Sequence, residues 1–165
     1  MAKQSATVPA VVEMLKDDHK KVKGLFEEFE FAEGGEQTAI ALTAIHELEI
    51  HAELEETLIY PAVRKAIVET EMIDEAVEEH HLVHVLIAEL KKLKSSDEKF
   101  HAKFCVLSEL VKHHIEEEEG EMLPKAERHD IDWDALEVKV TKRKQTLLAK
   151  PAGTARKSPS AKSTR

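Results

Sequence analysis

Residues 51–61 read HAELEETLIYP, and residues 114–124 read HIEEEEGEMLP. Each stretch carries a histidine, a glutamate four residues on and a proline ten residues on: His51, Glu55 and Pro61 in the first, His114, Glu118 and Pro124 in the second. Residues four apart on an α-helix lie about 40° apart and share a face. Each stretch can therefore close an imidazole and a carboxylate on one cation. The surrounding apolar residues tell which way that face points. Ile40, Ala44, Leu48, Leu58 and Ala62 fall on the stripe of His51, and Phe100, Leu107, Leu110 and Val111 on that of His114. Both pairs are expected to face the inside of a helical bundle. A buried, unpaired carboxylate is costly there, and a metal ion is one of the few things that offsets the cost.

Working outward, apolar residues recur at helical spacing along most of the chain. Val12, Leu15, His19, Val22, Phe26 and Phe29 predict a first helix from about Pro9 to Ala32, closed by Gly34-Gly35. A second helix is predicted over about 36–65, with Pro61 kinking or loosening its last turns. A third, about 71–94, carries Ile73, Ala76, Val77, His80, Val83, His84, Ile87 and Leu90 on one stripe. Ser95 and Glu98 read as a capping box for a fourth, running to about Arg128. Asp132 can cap a short fifth helix over about 133–148, with Trp133, Leu136 and Val140 available for docking. The connections are short, so neighbouring helices are expected to be antiparallel. The fold class is all-α, an up-down-up-down four-helix bundle over residues 8–130, with a short extra helix over 131–148.

Composition supports this. Charged residues make up 35% of the 165 and aromatic residues 4%, the profile of amphipathic helices. The net charge of −9 is unevenly spread. No acidic residue follows Glu137, whereas nine basic ones do, so residues 1–138 carry −18 against +9 beyond. Residues 149–165 are too poor in apolar side chains to bury a core and are expected to form a disordered basic tail. Such a tail is capable of weak contact with nucleic acid or an anionic surface. The single cysteine, Cys105, excludes an internal disulfide and suits a reducing compartment. With no span-length apolar run and no apolar leader, the expectation is a cytoplasmic protein.

The two helix pairs repeat. Asp18-His19-x-x-Val22 aligns with Glu79-His80-x-x-Val83, just as the His51 stretch aligns with that of His114. The repeat brings four histidines and two glutamates to the bundle centre. His84, four residues after His80 and matched by Lys23 in the first half, adds a fifth imidazole. The candidate metal ligands are His19, His51, Glu55, His80, His84, His114 and Glu118. Imidazoles and carboxylates without thiolate suit Fe, Mn or Zn. Seven donors exceed one tetrahedral zinc. They suit two octahedral ions sharing two bridging carboxylates, with room for an oxo or hydroxo bridge and one open position. Carboxylate-rich bundles of this type carry di-iron chemistry. The other histidines, His46, His81, His101, His113 and His129, fall off the inward stripes and read as surface residues. Glu53, Glu56, Glu116, Glu117 and Glu119 read as solvated faces.

At these residues the chain resembles the hemerythrin-like, or HHE cation-binding, family. The matching pieces are Asp18-His19, His51-x-x-x-Glu55-Glu56 with Tyr60-Pro61, Glu79-His80-x-x-x-His84, and His114-x-x-x-Glu118-Glu119 with Leu123-Pro124. The resemblance implies a non-haem di-iron centre in which His80, His84 and His114 hold one iron. His19 and His51 would hold the other, which keeps an open position for O2, and Glu55 and Glu118 would bridge the two. Oxygen carriers of the family place an Asp five residues after the last histidine. Here that position is Glu119, and the repeat favours Glu118. Two functions follow: binding of O2 or a related small oxidant for sensing, storage or delivery, or an enzyme removing peroxide or oxidising ferrous iron at the same centre, with nitric oxide or iron handling as variants. The sequence offers no clear proton-delivery residue, which leans toward binding.

Overall fold

The computed structural model describes residues 7–151. Its elements are α1 (Ala10–Phe31), α2 (Gly34–Leu54), α3 (Tyr60–Ala66), α4 (Glu71–Leu90), α5 (Glu98–Glu117), α6 (Leu123–Glu127) and α7 (Trp133–Leu148). Among the described residues there is no strand, and no helix is long and apolar enough to cross a membrane. The basic tail expected over 149–165 lies almost wholly outside the described residues.

The buried residues of α1 are Val11, Val12, Leu15, His19, Val22, Phe26 and Phe29, the three-and-four spacing of one helix face. The chain then turns back through Gly34, whose φ of 57° suits a residue without a Cβ. Helix α1 packs on α2 and α4 on α5, while contacts of α1 with α5 and of α2 with α4 join the two pairs into one bundle. Asp97 caps α5 by accepting from the Lys99 amide at 2.9 Å, so the cap sits two residues later than the Ser95 box predicts. Asp132 caps α7 as expected, accepting from Ala135 N at 3.0 Å.

Two departures from a plain bundle position the site. The first is that neither long central helix is continuous. A π turn, Glu55–Ile59, separates α2 from α3, and a second, Glu118–Met122, separates α5 from α6. The Tyr60 amide bonds back to the Glu55 carbonyl and the Leu123 amide to that of Glu118. Each wide turn thus starts on a candidate ligand and ends on the residue before a proline, which has no N–H to continue the ladder. The extra residue rotates everything beyond it by about 100° relative to an unbroken helix, and it turns Tyr60 and Leu123 inward until they are 2% and 1% exposed. The second is that α7 lies across α1, α2 and the first π turn, burying Leu136, Val140 and Leu147.

The interior consists of two apolar clusters. One, at the α7 end, contains Leu15, Leu54, Ile59, Tyr60, Val63 and Leu123. The other contains Phe26, Phe29, Phe104, Leu107 and Val111, with the Phe29 and Phe104 rings 4.2 Å apart. Buried aromatic and aliphatic side chains of this size contribute about 1.5–3 kcal/mol each relative to exposure. Among the described residues, every buried histidine and carboxylate is a ligand candidate: His19, His51, Glu55, His80, His114 and Glu118.

Candidate metal centre

Helices α1, α2, α4 and α5 supply one buried imidazole each, and the two π turns supply one carboxylate each. His19 and His51 face each other through Nε2 at 3.0 Å, and His80 and His114 do so at 3.1 Å. Glu55 spans the two pairs, its Oε1 3.0 Å from His51 Nε2 and its Oε2 3.1 Å from His80 Nε2. Glu118 Oε2 lies 3.1 Å from His19 Nε2 and 3.8 Å from His114 Nε2. The donors fall into two groups that share Glu55: His19, His51, Glu55 and Glu118, and Glu55, His80 and His114.

Glu55 Oε1 and both oxygens of Glu118 are buried without a hydrogen-bond partner. Ring nitrogens stand at ion-pair distance from Glu55 Oε1 and Glu118 Oε2, yet without hydrogen-bond alignment. Buried acceptors are rarely left so, and leaving three costs on the order of 1–3 kcal/mol each. Cations between the rings and the carboxylates would satisfy all of them, so the residues fit a metal site.

The outward nitrogens all point at acids, three of them closely. Each Nδ1 faces a carboxylate: His19 with Glu119 at 2.7 Å, His80 with Glu56 at 2.9 Å, His114 with Glu79 at 2.6 Å and His51 with Asp18 at 3.5 Å. An acid on Nδ1 selects the tautomer that leaves Nε2 free to ligate, and it raises the basicity of that nitrogen. Glu56 and Glu119 are therefore not solvated faces, and neither is Glu53, which pairs with Arg143 of α7. The repeat could have exposed this ring of acids, since Glu56 matches Glu119 and Asp18 matches Glu79 in register.

His84 does not join the cluster. Its side chain is 44% exposed and its Nε2 bonds Glu56 Oε1 at 2.7 Å, the oxygen that also receives His80. The angle between residues four apart, about 40°, is enough to carry this imidazole from the interior to the rim. In its place the structure brings a residue that periodicity alone does not select. Tyr60 Oη lies 3.2 Å from Glu55 Oε2, to which it donates, and 3.3 Å from the Nε2 atoms of His80 and His114. Its counterpart in the repeat, Leu123, offers no donor. One half of the centre therefore has a phenol and the other does not.

The charges are strongly coupled. Burial alone would lower the pKa of His51, but the Glu55 carboxylate, with Asp18 behind, carries it up to about 10. His80 rises to about 9 against its own burial, through Glu55 and Glu56. Burial works against ionised Glu55, yet His51 and His80 hold it well below the usual carboxylate range. Glu118 goes the other way, raised by burial and by the charge of Glu55. Bonds from His80 and His84 bring Glu56 down to about 2. Two buried carboxylates are not both comfortable as anions without added positive charge.

A cavity of about 20 Å³ opens beside the rings, walled by Val22, Leu48, Val83, Val111 and Ile115. That is space for about one water-sized molecule, on the face of the cluster away from Tyr60.

A helical bundle with imidazoles and carboxylates converging in its interior defines a metal-binding helical protein. More particularly, the chain belongs to the family described as the Hemerythrin HHE cation binding domain, which matches residues 10–126. Its fold is similar to the crystal structure of a Hemerythrin HHE cation binding domain-containing protein, the Rv2633c homolog from Mycobacterium kansasii. The two are 25% identical with a TM-score of 0.72, over 91% of this chain and 96% of that one. No curated protein sequence matches the chain. Neither similarity supports the nucleic-acid contact expected of the basic tail.

Proposed function

We propose that the protein is a non-haem di-iron protein that binds O2 or a related small oxidant, within four rods in up-down-up-down order. His19, His51, Glu55 and Glu118 would hold one iron, and His80, His114 and Glu55 the other, with Glu118 within reach of both. The observation that carries this reading is the set of three buried carboxylate oxygens without donors on Glu55 and Glu118, in a cluster with four imidazoles whose outward nitrogens face acids. Two iron ions would supply the redox electrons and the coordination positions for a diatomic. The residues supply the rest. Glu56, Glu79, Glu119 and Asp18 orient the rings, the apolar wall excludes bulk water, and the cavity admits only a small molecule.

Tyr60 favours a second reading. A phenol at hydrogen-bond distance from Glu55, His80 and His114 is a proton donor that helical periodicity does not select, and it suits an oxidoreductase acting on peroxide or ferrous iron. Iron quantitation and absorption spectra of the purified protein in both redox states test the first reading. About two iron per chain is expected, with a visible band on O2 addition to the reduced protein that reverses under vacuum. Rapid irreversible oxidation with O2 evolution from peroxide would install the enzyme reading. Fewer than one iron per chain would remove both.

A further inference from the structure

We propose that Lys144, carried by α7, keeps the His51 side of the centre the weaker of the two cation positions, by drawing Asp18 away from His51. The inference rests on the two-cation reading above and adds a control element that lies outside the bundle.

The halves of the centre are related residue by residue, and the outer acids are part of that relation. Three of the four imidazole–acid bonds are short, between 2.6 and 2.9 Å. The fourth, His51 Nδ1 to Asp18 Oδ2, is 3.5 Å, at the edge of hydrogen bonding. Asp18 is one methylene shorter than the matching Glu79, and it is also held by Lys144. Its Nζ sits 2.6 Å from Asp18 Oδ1 and 2.8 Å from Oδ2, so both oxygens are engaged by the ammonium and His51 shares one of them. Among the described residues, the matching acid, Glu79, has no lysine or arginine in ion-pair contact. Its Oε2 goes to His114 and its Oε1 lies 3.7 Å from the exposed His113.

Two consequences have the same sign. A ligand imidazole with a long outer bond is less firmly oriented, and outer partners of this kind are worth roughly 10- to 100-fold in metal affinity. A fixed ammonium one carboxylate away also opposes a dication through simple repulsion. Docked α7 therefore detunes one position, and the asymmetry comes from an element that the internal repeat does not contain. Lys144 and Asp18 are only 21% and 15% exposed, and this grip is held by the docking of α7 through its own Leu136, Val140 and Leu147.

The test uses the full-length protein loaded with Co2+ and titrated with a chelator while the cobalt spectrum is followed. Wild type should release two equivalents in separate steps. In Lys144→Met the more easily removed equivalent should need about tenfold more chelator, with the other step unmoved. Lys144→Arg, which keeps the charge and the bonds, should behave as wild type. Arg143→Met removes the neighbouring pair of α7 with Glu53 without touching Asp18, so it should lower the melting temperature and leave both steps in place. The proposal is overturned if Lys144→Met leaves both steps unchanged, loosens either, shifts both equally, or does no more than Arg143→Met. A wild-type chain that holds fewer than two Co2+ overturns the two-cation reading itself, and this inference with it.

Discussion

Loading the centre with metal must expel protons, and the number follows from the geometry. His51 and His80 sit in different halves and share Glu55, with pKa values raised to about 10 and about 9. At pH 7.5 both imidazoles of the metal-free protein are protonated, whereas a ligating Nε2 needs its lone pair. One proton therefore leaves from each half, two per chain at the least. In each half the logarithm of affinity should climb by about one per pH unit, so affinity rises roughly a hundredfold for each cation between pH 6.5 and 8.5. Stability has opposite pH profiles with and without metal. In the metal-free protein both pKa values lie above the unfolded value of 6.5, so the stabilisation is complete below 6.5 and is lost as pH rises through about 9 and 10. In the loaded protein, falling pH returns the competing protons and weakens binding. Calorimetric titration with Zn2+ at pH 7.5, in buffers of different ionisation enthalpy, counts the protons, and melting curves from pH 6 to 10.5 test the stability claim. Release of fewer than one proton in all, or metal affinity flat from pH 6.5 to 8.5, would refute the charge assignment.

Four substitutions divide the site further. Glu55→Gln removes the one carboxylate that faces both halves at 3.0 and 3.1 Å, and metal analysis should show both equivalents weakened, where Asp18→Asn should affect chiefly one. His84→Ala should leave stoichiometry unchanged and shift stability by no more than about 0.5 kcal/mol, as expected for an exposed site; loss of one metal equivalent would restore His84 as a ligand. Tyr60→Phe keeps the ring volume and removes a hydroxyl close to three polar atoms, which should cost about 1 kcal/mol in denaturant unfolding. It should perturb the cobalt spectrum of the His80–His114 half alone, and an unchanged spectrum would separate Tyr60 from the metal.

The helices and the inward imidazoles were legible in the sequence because both obey one rule, a fixed rotation of about 100° per residue. His19, Val22, Phe26 and Phe29 share a face for the same reason that His51 and Glu55 do, so hydropathy could locate the inward imidazoles wherever the helix stayed regular. Tyr60 lies past the point where the rule stops. Five residues after Glu55, a regular helix would put it about 140° away, and only the π turn swings it back. Such a turn is coded by no composition of its own, although a proline at the same offset in both halves marks where the hydrogen-bond ladder has to give. The outer acids were obscured by abundance. With 33 acidic residues in the chain, Glu56 and Glu119 look like any solvated glutamate until the repeat is used to compare offsets. His84 errs in the opposite sense, since helical spacing gives a direction to within some tens of degrees and a rim imidazole differs from an interior one by no more than that. What no periodicity could supply is the docking of α7, because Lys144 reaches Asp18 across 126 positions of sequence. A duplicated pair of helices builds two like half-sites. Leu123 in place of Tyr60 and an appended helix that reaches only one of them make the halves chemically unequal, and the proposed two-cation centre would then hold one ion firmly and leave the other to meet a small molecule.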